Sequence, residues 1–276
     1  MLNQGRLRLA ALAALIVAAA GFLTACAGGA PTVDRYTVRL EASGIYASAP
    51  RGYYRASEDV NEGYLDSDRV HFDRDMDLSG SAGAGGLVET RLGSDSEARL
   101  AFRQLSEFDG ESRFDRPRRF DGRTYGPAEN VHSSFRWNAA SASYAHRVAV
   151  LGGDGAPQTD VFVRLGVERN QFHGALAEDR FILATAPFLG LDTRTRIADG
   201  TTLLLAADAG AWNHQGQQIQ MADASIGLRQ QLVGPLDVTV GYQISLRDAT
   251  VRRSDLEQSQ ARFALHQLTL SLGLSF

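Results

Sequence analysis

The chain has 276 residues, a formal net charge of −4 and a hydrophobic content of 44%. A weakly acidic chain lacks the basic surface that nucleic acids require, so no nucleic-acid partner is expected. Every basic residue is arginine, and the single cysteine, Cys26, excludes an internal disulfide and a multi-cysteine metal site. No segment after residue 25 has the roughly 20 apolar residues that a membrane helix needs.

The first 25 residues have the character of an export signal. Arg6 and Arg8 precede a short apolar run over residues 9–22, and Leu23-Thr24-Ala25-Cys26 follows. A charged start, a short apolar stretch and small residues before a cleavage site are typical of a secretory signal peptide. The last four residues resemble the lipobox of bacterial lipoproteins, which implies that Cys26 is acylated and becomes the mature N-terminus. The alternative is ordinary cleavage that leaves Cys26 a free thiol.

The residues after Cys26 indicate a tether and a destination. In lipoproteins of this kind an aspartate after the cysteine retains the product in the inner membrane, and here that position is Ala27. The resemblance therefore implies delivery by the lipoprotein-sorting machinery to the outer membrane, with the anchor on its periplasmic side. Residues 26–33 read as a short flexible tether, and residues 34–276 as the folded domain.

From residue 34 onward, apolar and polar residues alternate with the period of two that marks β-strands. Ten such segments are separated by turn residues: 35–47, 80–92, 97–108, 134–151, 159–176, 180–197, 201–213, 221–233, 236–246 and 261–276. No long amphipathic helix is predicted. The chain is therefore expected to be all-β.

The last nine residues, 268–276, show the strictest alternation. Leucines and a final aromatic occupy one face (Leu268, Leu270, Leu272, Leu274 and Phe276), and small or polar residues occupy the other. This resembles the closing strand of bacterial outer-membrane β-barrels, whose strands are apolar towards lipid and polar towards the lumen. The resemblance implies recognition by the barrel-assembly machinery. Taken alone, an ordinary half-buried strand also alternates.

The connections between predicted strands alternate in length. Short ones lie near residues 93–96, 152–158, 198–200 and 233–235, and longer or more polar ones at 48–79, 109–133, 177–179, 214–220 and 247–260. Outer-membrane barrels have short periplasmic turns and longer extracellular loops. We therefore predict a monomeric, antiparallel, up-and-down transmembrane β-barrel of about ten strands, with eight or twelve as alternatives, closed by pairing 35–47 with 261–276. A periplasmic lipid-anchored β-sandwich or lipocalin-like fold is the rival architecture.

The polar faces of these strands carry many charged side chains. An arginine that faced lipid near the midplane of the membrane would destabilise the barrel by about 2–4 kcal/mol. The charged side chains are expected in the lumen, where opposite signs can pair. The predicted network comprises Arg164, Glu168, Asp192, Arg194, Asp208 and Arg229, and the same polar faces also carry Glu89, Arg91, Arg99, Arg103, Asp223, Asp237 and Arg247. Side chains can nearly fill a barrel of eight to ten strands. A plugged polar lumen is predicted, with a narrow channel for small solutes as the alternative.

The two long loops contain weak ligand patterns. Asp73, Asp75 and Asp77 have the spacing of a calcium loop, but Leu78 stands where that loop requires glycine and the twelfth position lacks glutamate. No metal or cofactor is therefore predicted. Loop 109–133 is rich in arginines that could contact lipopolysaccharide phosphates: Arg113, Arg116, Arg118, Arg119 and Arg123.

The histidines suggest no convincing active site. His132 and Ser134 have a spacing similar to that of outer-membrane phospholipases and lipid A deacylases, but no acid follows closely to orient the histidine. No catalytic residue is predicted, and an outer-membrane hydrolase is the least favoured alternative. The expected role is structural or surface-interacting, with outer-membrane lipids and lipopolysaccharide as partners.

Overall fold

A computed structural model describes residues 38–57, 68–120, 123–127, 129–153, 156–176, 178–252 and 258–276. The predicted signal peptide and tether, including Cys26, lie outside these residues, as do the first three residues of the predicted first strand. The described part of the chain contains no helix long and apolar enough to cross a membrane.

The described residues form fifteen strands, numbered in chain order: β1 (Val38–Ala47), β2 (Arg51–Ser57), β3 (Val70–His71), β4 (Ser81–Arg91), β5 (Ser96–Leu105), β6 (Phe108–Arg113), β7 (Arg118–Phe120), β8 (Arg123–Tyr125), β9 (Asn130–Gly153), β10 (Ala156–Leu176), β11 (Glu178–Ala198), β12 (Thr201–His214), β13 (Gln217–Val233), β14 (Leu236–Arg252) and β15 (Gln258–Ser275). Ten of them, β1, β4, β5 and β9 to β15, pair antiparallel in sequence order, and β15 pairs with β1. The predicted ten-stranded antiparallel barrel is confirmed.

Closure uses two different partners along β15. Its C-terminal half pairs with β1 in a register that runs from Arg39 opposite Ser275 to Ala47 opposite Gln267. Its N-terminal part pairs with β2, with Ala264 opposite Arg51 and Gln258 opposite Ser57. The predicted pairing of the first and last strands is therefore correct, and β2 extends the wall beyond it.

The two ends of the barrel differ. The first and last described residues, Val38 and Phe276, lie with the short turns before β5, β12 and β14 at one end, called the turn end, where Phe276 N donates to Val38 O at 2.9 Å. The opposite end, called the loop end, carries the long segments between β1 and β4 and between β5 and β9. This is the predicted alternation of connection lengths.

Several strands run further towards the loop end than the sequence predicts. Strand β9 begins at Asn130, β14 ends at Arg252 and β15 begins at Gln258. Backbone pairing in these strands continues beyond the segments in which apolar and polar residues alternate. The predicted loop 214–220 is instead a two-residue turn, with positive φ at Gln215 and Gly216 (48° and 79°). Those dihedral angles suit the tight turn of a twisted hairpin.

The outer face of the barrel is apolar, and the turn half of its interior is charged. The outward side chains of Leu100, Val240 and Leu270 are 57–61% exposed, whereas the lumen residues Glu89 and Arg99 are 6% and 8% exposed. A soluble protein rarely exposes so continuous an apolar surface. The distribution is that of a transmembrane β-barrel, in which lipid covers the outer face.

Candidate functional site

The lumen is the feature most able to carry function, and it is closed in two successive layers. A layer of ion pairs lies towards the turn end, and an apolar plug fills the loop end. Both layers are built mainly from inward-pointing residues of the ring strands, because alternate residues of every strand face the lumen.

Arg99, from β5, lies at the centre of the ionic layer. Its guanidinium contacts Glu89 at 3.1 Å and Glu97 at 2.9 Å, and it also pairs with Asp192 on β11, three strands away around the ring. Arg194 approaches the same two glutamates at 3.1 and 2.6 Å. Two arginines thus bridge three carboxylates in the narrow interior, and the third carboxylate, Asp192, also lies near Arg164.

Arg164 extends this layer along the wall. It pairs with Asp208 and lies 3.5 Å from Asp192, so it links β10, β11 and β12. Its guanidinium also lies over the ring of Phe188, 5.6 Å from the centroid. These contacts bring together four of the six residues predicted for the network: Arg164, Asp192, Arg194 and Asp208.

A second ionic cluster is centred on Arg247, whose side chain is fully buried. The guanidinium lies 2.8 Å from both Glu168 and Asp223 and 4.9 Å from the Trp137 ring centroid. The Trp137 indole donates to Asn170 Oδ1 at 2.9 Å, and the Asn170 amide donates to Glu168 at 2.9 Å. The predicted residue Glu168 therefore belongs to this cluster and not to the one around Arg99.

A third cluster secures the seam of the barrel. Arg39, from β1, makes bonds of 2.7 and 3.2 Å to the carboxylate of Asp237, on β14. The pair reaches across Gly273 of β15, where an added Cβ would lie 2.6 Å from Asp237 Oδ1. The glycine of the final strand therefore leaves room for a closing ion pair. The sixth predicted residue, Arg229, lies at the edge of this cluster, 3.9 Å from Asp237.

The apolar plug was not predicted. Phe263, on β15, is 3% exposed and its ring packs against Phe135, Trp137 and Phe172, with centroid distances of 5.2, 5.7 and 5.6 Å. The loop residue Phe72 joins them, 4.6 Å from Phe135. The loop half of the lumen is therefore apolar, and the predicted polar lumen is limited to the turn half.

The loop end is covered by a folded cap, which we define as residues 68–80, 106–120 and 123–127. Its two segments are joined by backbone bonds from Asp68 N to Arg119 O (2.7 Å) and from Ser79 N to Asp109 O (3.0 Å). The β7–β8 hairpin rests on Tyr54 through Phe120, at 5.8 Å. The described parts of the two long connections therefore pack on each other and on the barrel through buried aromatic side chains such as Phe72, Phe114 and Phe120.

Of the three aspartates in the weak calcium pattern, only Asp75 is buried, and it contacts other residues of the cap. Asp75 is 8% exposed, accepts a bond from His71 N at 2.9 Å and faces Arg118 at 3.4 Å, whereas Asp73 and Asp77 point to solvent. Among the described residues, no group of three or more potential ligands could hold a metal ion. Burial lowers the pKa of the neighbouring His71, and Arg74 lowers it further.

His132 and Ser134, the pair considered for catalysis, form no catalytic arrangement, since Ser134 is buried and His132 is exposed. Ser133 is buried and donates its hydroxyl to Met76 O at 2.7 Å, while its neighbour His132 is exposed.

The boundary between the apolar plug and the polar part of the lumen is visible in the sequence of β15. Along β15 the lumen-facing positions change from apolar (Ala261, Phe263, Leu265) to polar (Gln267, Thr269, Ser271), with no change of parity. On the outer face the change runs the other way, from Arg262 and His266 to the leucines. This exchange marks where the apolar plug begins.

Comparison with known proteins gives similarity in fold only. No protein-family model matches the chain, and no curated protein sequence matches it significantly. Among solved structures it is similar to the outer membrane protease OmpT of Escherichia coli, at 9% identity, 91% coverage of this chain, 99% of that chain and a TM-score of 0.44. It is also similar to the Pseudomonas aeruginosa outer membrane protein OprG (8%, 90%, 98%, 0.39) and to the N-terminal β-barrel domain of OprF from the same organism (10%, 89%, 100%, 0.34).

Proposed function

We propose that this chain is a non-catalytic outer-membrane lipoprotein whose sealed barrel displays the folded cap at the cell surface. The observation that carries the proposal is the double closure of the lumen, by the ion pairs around Arg99 and Arg247 and by the aromatic residues around Phe263. A lumen filled in this way supports the cap and leaves no passage for solutes. The cap is then the part of the protein available to partners.

The cap has the chemistry for contact with an anionic surface. Arg113, Arg116, Arg119 and Arg123 are exposed. Guanidinium groups bind phosphates through paired hydrogen bonds. At the outer leaflet these arginines would meet the phosphates of lipopolysaccharide, so we propose lipopolysaccharide or an envelope partner with similar anionic groups as the ligand of the cap.

Surface labelling tests this orientation. Asp115 lies in an exposed bend of the cap and Asp199 in the β11–β12 turn at the other end. In intact cells a membrane-impermeant maleimide should label Asp115→Cys and should leave Asp199→Cys unlabelled until the outer membrane is permeabilised. The reverse pattern would contradict a surface cap, and protection of both positions would favour the periplasmic fold.

The lipid anchor is tested at Cys26. Acylation of this cysteine implies that Cys26→Ser abolishes incorporation of labelled fatty acid, because no other thiol is present to accept it. The measurement is palmitate labelling of the expressed full-length chain, with the unmodified sequence as the control. Equal labelling of both chains would refute the lipobox interpretation.

A further inference from the structure

The turn end of the lumen opens into a polar vestibule that the sealed barrel does not require. Two cavities of about 470 and 300 Å³ lie there, and both are lined by Arg196, Thr202 and Arg229. Together they are within the size range of small-ligand sites. Turn residues Asp199 and Gly200 line the larger cavity, so it reaches the rim of the barrel.

The carboxylates that line this vestibule are mostly occupied. Glu97 is held by Arg99 and Arg194, Asp237 by Arg39 at 2.7 Å, and Asp160 lies 3.4 Å from Arg147. Only Asp199, in the exposed turn, is left with no ion pair among the described residues. The acidic groups of the wall are therefore not available to neutralise further arginines.

Three of the arginines that line the vestibule have no carboxylate of their own to neutralise them. Arg91 and Arg196 are exposed and form no ion pair with any described residue. Arg229 reaches only Asp237, at 3.9 Å, and that carboxylate already accepts two bonds from Arg39. The Nε of Arg229 is buried and has no hydrogen-bond acceptor in the described structure. A buried guanidinium donor without an acceptor lowers the stability of the fold, because its lost hydration is not replaced. An anion in the vestibule would supply the acceptor.

The chemistry of the lining selects the ligand class. Guanidinium groups bind phosphate and carboxylate oxygens in pairs, and a concave site with low-dielectric walls strengthens that attraction. Thr202 and Gln231 add neutral polar groups to the lining. We propose that the vestibule binds a small soluble polyanion carrying two or more phosphate or carboxylate groups, admitted from the turn end. The ionic layer beneath makes this a blind site, so the inference concerns binding and not transport.

Calorimetric titration of the full-length protein in non-ionic detergent at low salt tests this inference, with pyrophosphate and citrate as the probes and glucose as the neutral control. Saturable binding of either anion, but not of glucose, is expected, and the anion that binds more tightly identifies the phosphate or the carboxylate class. Arg196→Gln and Arg229→Gln should each weaken binding at least fivefold. Arg252→Gln, an exposed arginine at the loop end, should not change it.

Heat-modifiable migration of each variant would show that the barrel still forms. Absence of saturable heat with both anions would overturn the inference. An equal loss of affinity in Arg252→Gln would do the same, because it would indicate a general effect of net charge. Neither result would bear on whether the lumen is sealed.

Discussion

Replacing Arg247 with alanine should destabilise the barrel by about 3–5 kcal/mol, the usual cost of removing one partner from a buried ion pair. The side chain is fully buried between Glu168 and Asp223, so its loss leaves two carboxylates close together without a cation. Denaturant unfolding in detergent micelles would measure the loss. Trp137 makes tryptophan fluorescence a suitable probe, because its ring lies against the Arg247 guanidinium.

Two further variants separate charge from packing at this position. Arg169→Ala removes an exposed arginine from the outward face of β10 and should have a much smaller effect. Adding Glu168→Gln and Asp223→Asn to Arg247→Ala should restore part of the stability, since the remaining groups are then neutral. A loss below about 1 kcal/mol for Arg247→Ala, the size seen for exposed pairs, would contradict the ionic layer.

The second large effect is expected in the apolar plug. Phe263→Ala should cost about 3–5 kcal/mol, the range for truncating a buried phenylalanine, because it leaves a cavity between Phe135, Trp137 and Phe172. It should also loosen the cap, since Phe72 packs against the same ring at 6.3 Å. Faster amide hydrogen exchange in residues 70–78 would report that loosening.

Phe102→Ala is the matched control for the plug. Phe102 lies on the outer face of β5 and is 59% exposed, so its removal leaves no internal cavity. Its effect on unfolding should be markedly smaller. Equal losses for the two phenylalanines would mean that Phe263 does not lie in a packed interior.

The barrel itself was accessible from the sequence because its signals are local. Period-two alternation identifies each strand, and residue pairs such as Asp199-Gly200 mark tight turns, where Gly200 has a φ of 70°. Strand ends were less accurate. Gln215-Gly216 also makes a tight turn, with positive φ at both residues, but it lies inside a polar run that is typical of a loop.

The lumen was only partly accessible, since the partner of each charge depends on how the strands are staggered around the ring. Alternation places Arg99 and Asp192 inside, yet their contact joins β5 to β11 across the lumen. The pairing of Arg39 with Asp237 spans three strands in the same way. The cap depends on contacts between segments far apart in the chain, such as Phe120 with Tyr54, and alternation contains no information on these.

Single-channel recording of the full-length protein in a planar lipid bilayer tests the sealed barrel most directly. Insertion would be verified in the same membranes by protease protection and heat-modifiable migration. A lumen closed by both the ionic layer and the aromatic plug predicts no conductance steps from the inserted protein. Sustained single-channel steps from the unmodified chain would contradict the double closure and would favour a narrow channel for small solutes.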